Sequence, residues 1–435
     1  MSSITVPKQT APPFTVGIAL DGAGWHPSAW RDDAARPADL FSPEYWSELV
    51  DTAERGGADY VTFEDALRLQ GAPEPGPDAP AGSRTLDPAR VEGRLDALLT
   101  ASWLAPRTRS IGLIPTVTTT HTEPFHVATA LQTLDHVSGG RAGWQLRFSA
   151  DRASADAFGR RPAPELDIER VFAGEPEAGL DALVADAADA AEVARRLWDS
   201  WEDDAIIRDL ETGRFLDRDR VHHIDFEGDG FSVIGPSIVP RSPQGQIVVT
   251  LLAHAAPIFD LAARTADVVF ITPENEAPAA GASRGKTAAD LIAEVREAEA
   301  GVDRAALGLH PLRIVADLVV ALDTDAEGGA DRVARLDRLA GVAAAGDARV
   351  EAGPAERIAD RIAAWRDAGV DGVRLRPAVL PLDLSLIASE LLPLLRARGL
   401  ANPAASEPTP LRERFGLGLA PNRYATRRAP QEVSA

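Results

Sequence analysis

Residues 111–149, IGLIPTVTTTHTEPFHVATALQTLDHVSGGRAGWQLRFS, decide the fold. A β-rich run over 111–117 feeds a threonine cluster, and a helical segment starts near Glu123. Ser138-Gly139-Gly140 stops that helix, and a second β-rich run starts at Arg141. Strand, crossover helix and strand make a βαβ unit, which requires the two strands to lie parallel. Parallel α/β folds hold ligands just past the carboxyl ends of their strands, so the loop TVTTTH at 116–121 marks one side of a candidate site.

The same alternation extends in both directions. Further strands are expected at 14–20, 59–63, 247–252, 267–271, 312–322 and 372–375. Helices fall between them, the first starting at Ser42-Pro43-Glu44 with serine as N-cap and proline at the first helical position. It ends at Gly56-Gly57. Eight strands separated by helices predict a (β/α)8 TIM barrel with insertions. A doubly wound open sheet shares the alternation. Against it, the loop after the first strand is Asp21-Gly22-Ala23-Gly24, which lacks the third glycine of a dinucleotide fingerprint, and no GxxxxGK[ST] occurs. The expected organisation is one barrel domain over 1–435. It has an N-terminal arm at 1–13, a Pro/Gly-rich loop at 71–88, a mostly irregular insertion at 205–245 and a tail at 401–435 that lies along the surface or on a partner subunit.

Composition narrows the class. The formal net charge of −21 opposes nucleic-acid and anionic-membrane partners, because an acidic surface repels phosphate. There is no cysteine, which removes disulfides, thiolate metal sites and cysteine nucleophiles. The start MSSITVPKQTAPPF has no secretory signature, and no apolar run reaches membrane-spanning length, so a cytoplasmic location is expected.

Several residues that could carry chemistry gather at strand ends. The hydroxyls of the 116–121 loop could hold a ring carbonyl, a phosphate or a peroxide, or they could simply cap the following helix. Asp21, Glu64 and Asp65 end the first two strands and suit acid/base work or helix capping equally. His26, His121 and His254 each follow a predicted strand, yet no HExxH or HxH spacing supports a metal. GxSxG is absent, so a serine-hydrolase elbow is not supported. Arg68, Arg84, Arg147 and Arg152 could receive a carboxylate or sulfonate. In a chain whose only lysines are Lys8 and Lys286, surface ion pairing competes with that reading.

Longer motifs carry a resemblance. The segments DGAGWHPSAWR (21–31), YWSELVDTAERGGADYVTFED (45–65), EPFHVATALQTLDHVSGGRAGW (123–144), LWDSWEDDAIIRDLETGRF (197–215), IGPSIVPRSPQGQIVV (234–249) and LAARTADVVF (261–270) resemble the bacterial-luciferase-like flavin-dependent monooxygenases. The likeness is greatest to their nitrilotriacetate and dibenzothiophene-sulfone monooxygenase branch. It implies a (β/α)8 barrel, usually a homodimer, using O2 and reduced FMN (FMNH2) from a separate NAD(P)H-dependent flavin reductase. The substrate class implied is a small organic molecule, oxygenated with C–N or C–S cleavage or oxygen insertion.

Carried over by position, the resemblance implies that Asp65, Thr116, Thr118 and Gln145 bind the flavin, with His121 and Gln145 catalytic. Trp25, His26, Arg147 and Phe148 would line the substrate. On the phosphate side the chain departs from its relatives. Ala253-His254-Ala255-Ala256 stands where a Gly-Ser-Ser loop is usual, and no His-x-x-Arg-Tyr precedes the LWDSWEDDA helix. His254 or Arg147 could replace the missing phosphate donors. Two alternatives stay open: a non-catalytic binding or scaffold subunit, and an oxidoreductase using the deazaflavin F420.

Overall fold

The computed structural model describes residues 13–69, 91–172, 175–341, 343, 346–405 and 407–425. The 71–88 loop with Arg84, the arm up to residue 12 and the end of the tail lie outside the described residues.

Eight parallel strands close a barrel: β1 (Thr15–Leu20), β2 (Tyr60–Phe63), β3 (Gly112–Thr118), β4 (Gly143–Arg147), β5 (Val248–Leu252), β6 (Val268–Ile271), β7 (Arg313–Leu322) and β8 (Gly372–Pro377). Their order around the wall is β6-β5-β4-β3-β2-β1-β8-β7, and β6 pairs with β7 to shut the ring. This is the expected (β/α)8 architecture.

Helices clothe the outside: α1 (Pro43–Gly56), α2 (Ala97–Leu104), α3 (Pro124–Ser138), α4 (Ala178–Asp199), α5 (Ala256–Thr265), α6 (Ala288–Ala300), α7 (Gly329–Ala340) and α8 (Ala355–Asp367). The predicted caps form. The Ser42 side chain accepts from the Tyr45 N–H, and Gly57 takes φ 80° to end α1. At the end of α3 the chain turns at Gly139 with φ 66°, a left-handed conformation that favours glycine.

The motifs that carry the family resemblance mostly hold this scaffold together. Asp135, fully buried on α3, accepts from Ala142 N at 3.2 Å and from the Gln244 amide at 2.6 Å. Arg141 donates to the carbonyls of Ile111, Ser138 and Ala105, tying β3 to the end of α3. Trp198 on α4 packs edge-on against Trp144 of β4 at 6.3 Å and donates to Ala128 O.

Three features differ from the sequence expectations. A ninth short strand, Val350–Gly353, pairs with the carboxyl half of β7 through Val319 to Leu322. β6 reaches only Ala316 along β7, so the long β7 edge above it is free to take that strand. The four-residue run has no β-branched pattern that would reveal it, and its Glu351 is held by Arg349, Arg357 and Arg361. The 205–245 insertion is more regular than expected, with two small antiparallel pairs, Ile206–Asp209 with Arg214–Leu216 and Phe226–Glu227 with Ser232–Val233.

The tail does not simply lie on the surface. Leu411, Phe415 and Leu417 are buried against Tyr60, Ile114, Val248, Val268 and Val315, plugging the amino end of the barrel. Arg412 and Arg414 are buried with them, facing Asp267 and Asp59, so the apolar side chains can be covered without leaving a charge unpaired. Space is tight at this level: a Cβ on Gly17 would meet the Tyr60 ring at 2.2 Å.

Candidate active site

Above the apolar floor the barrel interior turns polar. Side chains alternate along each strand, so residues two apart on β8 share the inner face. Arg374 and Arg376 are such a pair, and both are buried. Arg374 donates to Asp317 of β7 through Nε at 2.7 Å and Nη2 at 2.5 Å. Its Nη1 reaches Gln145 Oε1 on β4 at 2.5 Å, and its plane lies 3.8 Å from the centre of the Phe270 ring. Because arginine only donates, the Gln145 oxygen must face it, leaving Nε2 as the donor available to a ligand.

One step higher, Arg376 shares Asp317 and also binds Asp347 Oδ1 at 2.6 Å, with its guanidinium 4.2 Å from the Trp25 ring centre. Asp347 lies on the connection between α7 and the Val350–Gly353 strand. Its Oδ2 is 3.3 Å from His254 Nε2, and His254 Nδ1 meets Thr272 Oγ1 at 3.0 Å. Burial alone would raise the Asp347 carboxyl. Arg376 and His254 outweigh it and hold the group well below the usual carboxylate range. A continuous polar chain therefore crosses the mouth: His254, Asp347, Arg376, Asp317, Arg374, Gln145.

Sequence reading missed Asp317, Asp347, Arg374 and Arg376. A signal was present: the lone acid inside IVADLVVAL and the two arginines two apart inside GVRLRP stand in strands otherwise suited to full burial, and buried charges require partners.

The other expected residues divide into groups. Thr118, Arg147 and Phe148 come together on a cavity of about 950 Å³ over the ends of β3 and β4, with Arg68, Ser149, Asp151 and Arg152. That volume is in the range of small-molecule sites. The arginines there are paired: Arg147 with Glu64 and with the Asp65 carbonyl at 2.8 Å, Arg68 with Asp151, Arg152 with Asp156. Thr116 pairs in register with Gln145, and its hydroxyl is buried with no partner, the kind of orphaned group a ligand completes. Asp65 spends its carboxylate on the N–H groups of Ala66 and Ala97, the latter at the start of α2. Asp21 is paired with Arg94 at 2.8 Å.

His121 is elsewhere, on a cavity of about 250 Å³ with Arg160, Arg161 and Phe231. It stacks on Phe158 at 5.3 Å, and neither buried ring nitrogen has a partner. Burial and then the nearby Arg161 lower its pKa, so the ring is neutral at pH 7. His26 has both nitrogens engaged, with Asp337 at 3.1 Å and the Ser28 N–H at 3.1 Å. Trp25 donates its indole N–H to Ala19 O at 3.0 Å and presents its face to Arg376.

Set against FMN, the two halves of the mouth differ. The ring side fits, with an unpartnered Thr116 hydroxyl, a fixed Gln145 donor and an adjoining cavity. At the position expected to serve the phosphate, His254, together with Arg376, already holds the Asp347 carboxylate. Among the described residues no helix is long and apolar enough to cross a membrane.

Comparison with known proteins agrees with this architecture. The family model "Luciferase-like monooxygenase" matches residues 23–337. N-acetyl-S-(2-succino)cysteine monooxygenase of Bacillus subtilis (strain 168) is 30% identical, covering 94% of this chain and 98% of that protein. Nitrilotriacetate monooxygenase component A of Aminobacter aminovorans is 29% identical over 95% of this chain and 98% of its own length. The structure of EDTA monooxygenase (EmoA) from Chelativorans sp. BNC1 shares the fold, with a TM-score of 0.73 at 22% identity, over 94% of this chain and 99% of that one. The chain belongs to the luciferase-like monooxygenase family.

Proposed function

We propose that this chain is the oxygenase component of a two-component flavin-dependent monooxygenase, acting as a cytoplasmic homodimer on a small organic substrate. A separate NAD(P)H-dependent reductase would supply FMNH2. The observation that carries this reading is the full-length match to relatives named as monooxygenases, one of them "component A", together with the intact ring side of the mouth. Reduced flavin, when bound, supplies the electrons for O2 activation.

The chain's own residues do the rest. Thr116 and Thr118 offer hydroxyls to the ring, and Gln145, fixed by Arg374, offers its amide N–H. Asp65 stiffens the second-strand loop by capping α2. Arg147, locked to Glu64, and Phe148 shape the substrate side of the cavity. His121, neutral and unpartnered, lies on the separate cavity with Arg160 and Arg161. The apolar floor beneath Arg374 excludes water from below.

One observation favours the non-catalytic reading: a carboxylate of the chain itself occupies the phosphate side. Titration with oxidised and reduced FMN and with F420 separates the three. Micromolar binding of FMN is expected. No binding of either FMN form would remove this reading, and F420 binding with FMN excluded would select hydride transfer.

A further inference from the structure

The wall between β7 and β8 carries two buried guanidiniums, Arg374 and Arg376, against one strand carboxylate, Asp317. Without a further anion this buried set has an excess positive charge, which is costly to leave uncompensated. The compensating group, Asp347, comes from a connection and not from the barrel wall. It is about one-third exposed, whereas Arg376 is 1% exposed. Asp347 is held by Arg376 on one side and by His254 on the other. The Arg376 Nε is also buried and has no partner. The guanidinium is thus fixed by Asp317 and by the Trp25 ring, with donor capacity that the protein does not fill.

We propose that Arg376 and His254 form an oxyanion-binding subsite at the barrel mouth, and that Asp347 is a built-in competitor which a ligand's carboxylate or phosphate displaces. The subsite does not depend on the ligand being a flavin. Arg376 and the His254 imidazole both face Asp347, and the Trp25 ring lies against the Arg376 guanidinium. The displaced Asp347 moves toward solvent, where its desolvation cost is relieved. Ligand affinity is therefore reduced by the fraction of molecules in which Asp347 holds the subsite.

The test compares wild type with Asp347→Asn by calorimetric titration of inorganic phosphate, succinate, FMN and riboflavin. Asparagine keeps the size and a hydrogen-bonding oxygen while removing the charge. At least one of the two simple anions is expected to bind the variant more tightly by on the order of tenfold. A gain for phosphate and FMN but not riboflavin assigns a phosphate ligand; a gain for succinate alone assigns a substrate carboxylate. Adding His254→Asn to Asp347→Asn should abolish most of the gain. Anion-dependent melting temperature, measured on each protein, verifies that the variants fold. Phosphate and succinate affinities within twofold of wild type in Asp347→Asn overturn the proposal. So does a gain that persists in full in the double variant, since it would then come from net charge alone. Failure of FMN binding with an intact anion response would instead count against the flavin reading.

Discussion

Arg374 and Asp317 face each other inside the barrel at 2.7 and 2.5 Å, both fully buried, and Gln145 completes the arginine's contacts from the opposite wall. Removing one member of such a pair leaves an uncompensated buried charge. Asp317→Ala should therefore destabilise the protein by about 3–5 kcal/mol, measured by denaturant unfolding. Replacing Arg374 and Asp317 together with methionine and leucine should recover much of that loss. Equal instability of the single and double variants would contradict the assignment of the loss to the unpaired charge.

The tight floor gives a second prediction. Gly17→Ala places a methyl 2.2 Å from the Tyr60 ring, so a cost of about 1–3 kcal/mol is expected. Tyr60→Leu in the same chain should relieve most of it. A Gly17→Ala protein as stable as wild type would show that the ring has room to move.

Acid sensitivity should arise partly at Asp267, which immediately precedes β6 and faces Arg412 of the tail plug. Burial pushes its carboxyl up, but Arg195, Arg412 and the Val249 N–H outweigh this and hold it at about 2. The folded value lies below the unfolded one of 3.8. The native state thus takes up its proton later than the unfolded state, and the resulting stabilisation is complete above about pH 4 and lost as pH falls toward 2. It amounts to about 2 kcal/mol. The stability difference between wild type and Asp267→Asn should narrow by that amount over this interval in pH-dependent denaturation. A difference independent of pH would contradict it.

What the sequence revealed, and what it hid, follows from side-chain direction. The barrel was legible because its parallel strands are short apolar runs between helices with recognisable caps, Ser42-Pro43 and Gly139-Gly140 among them. The family was legible through LDHVSGGRAGW and LWDSWEDDA, whose Asp135, Arg141 and Trp198 serve the scaffold. The mouth was harder to read. Asp317 lies far from Arg374 and Arg376 in the chain and meets them only when β7 pairs with β8. Asp347 reaches the mouth because the Val350–Gly353 strand extends the free edge of β7, a pairing too short to show in sequence. His26 and Asp65 illustrate the opposite case, with strand-end positions suggesting ligand contact and side chains taken up by Asp337 and by the start of α2.

The central claim is that the flavin ring rests on the inner face of β3 and β4, and Thr116 tests it most directly. Its hydroxyl is buried and unpartnered, so Thr116→Val should leave the ligand-free protein equally stable or up to about 1–2 kcal/mol more stable. The same change should weaken reduced FMN about three- to tenfold, the worth of one ordinary hydrogen bond. Parallel measurement of unfolding and of reduced-FMN affinity in wild type and Thr116→Val gives both quantities. Undiminished stability with weakened FMN is the predicted result; identical FMN affinity in the two proteins, or none in wild type, would contradict the account.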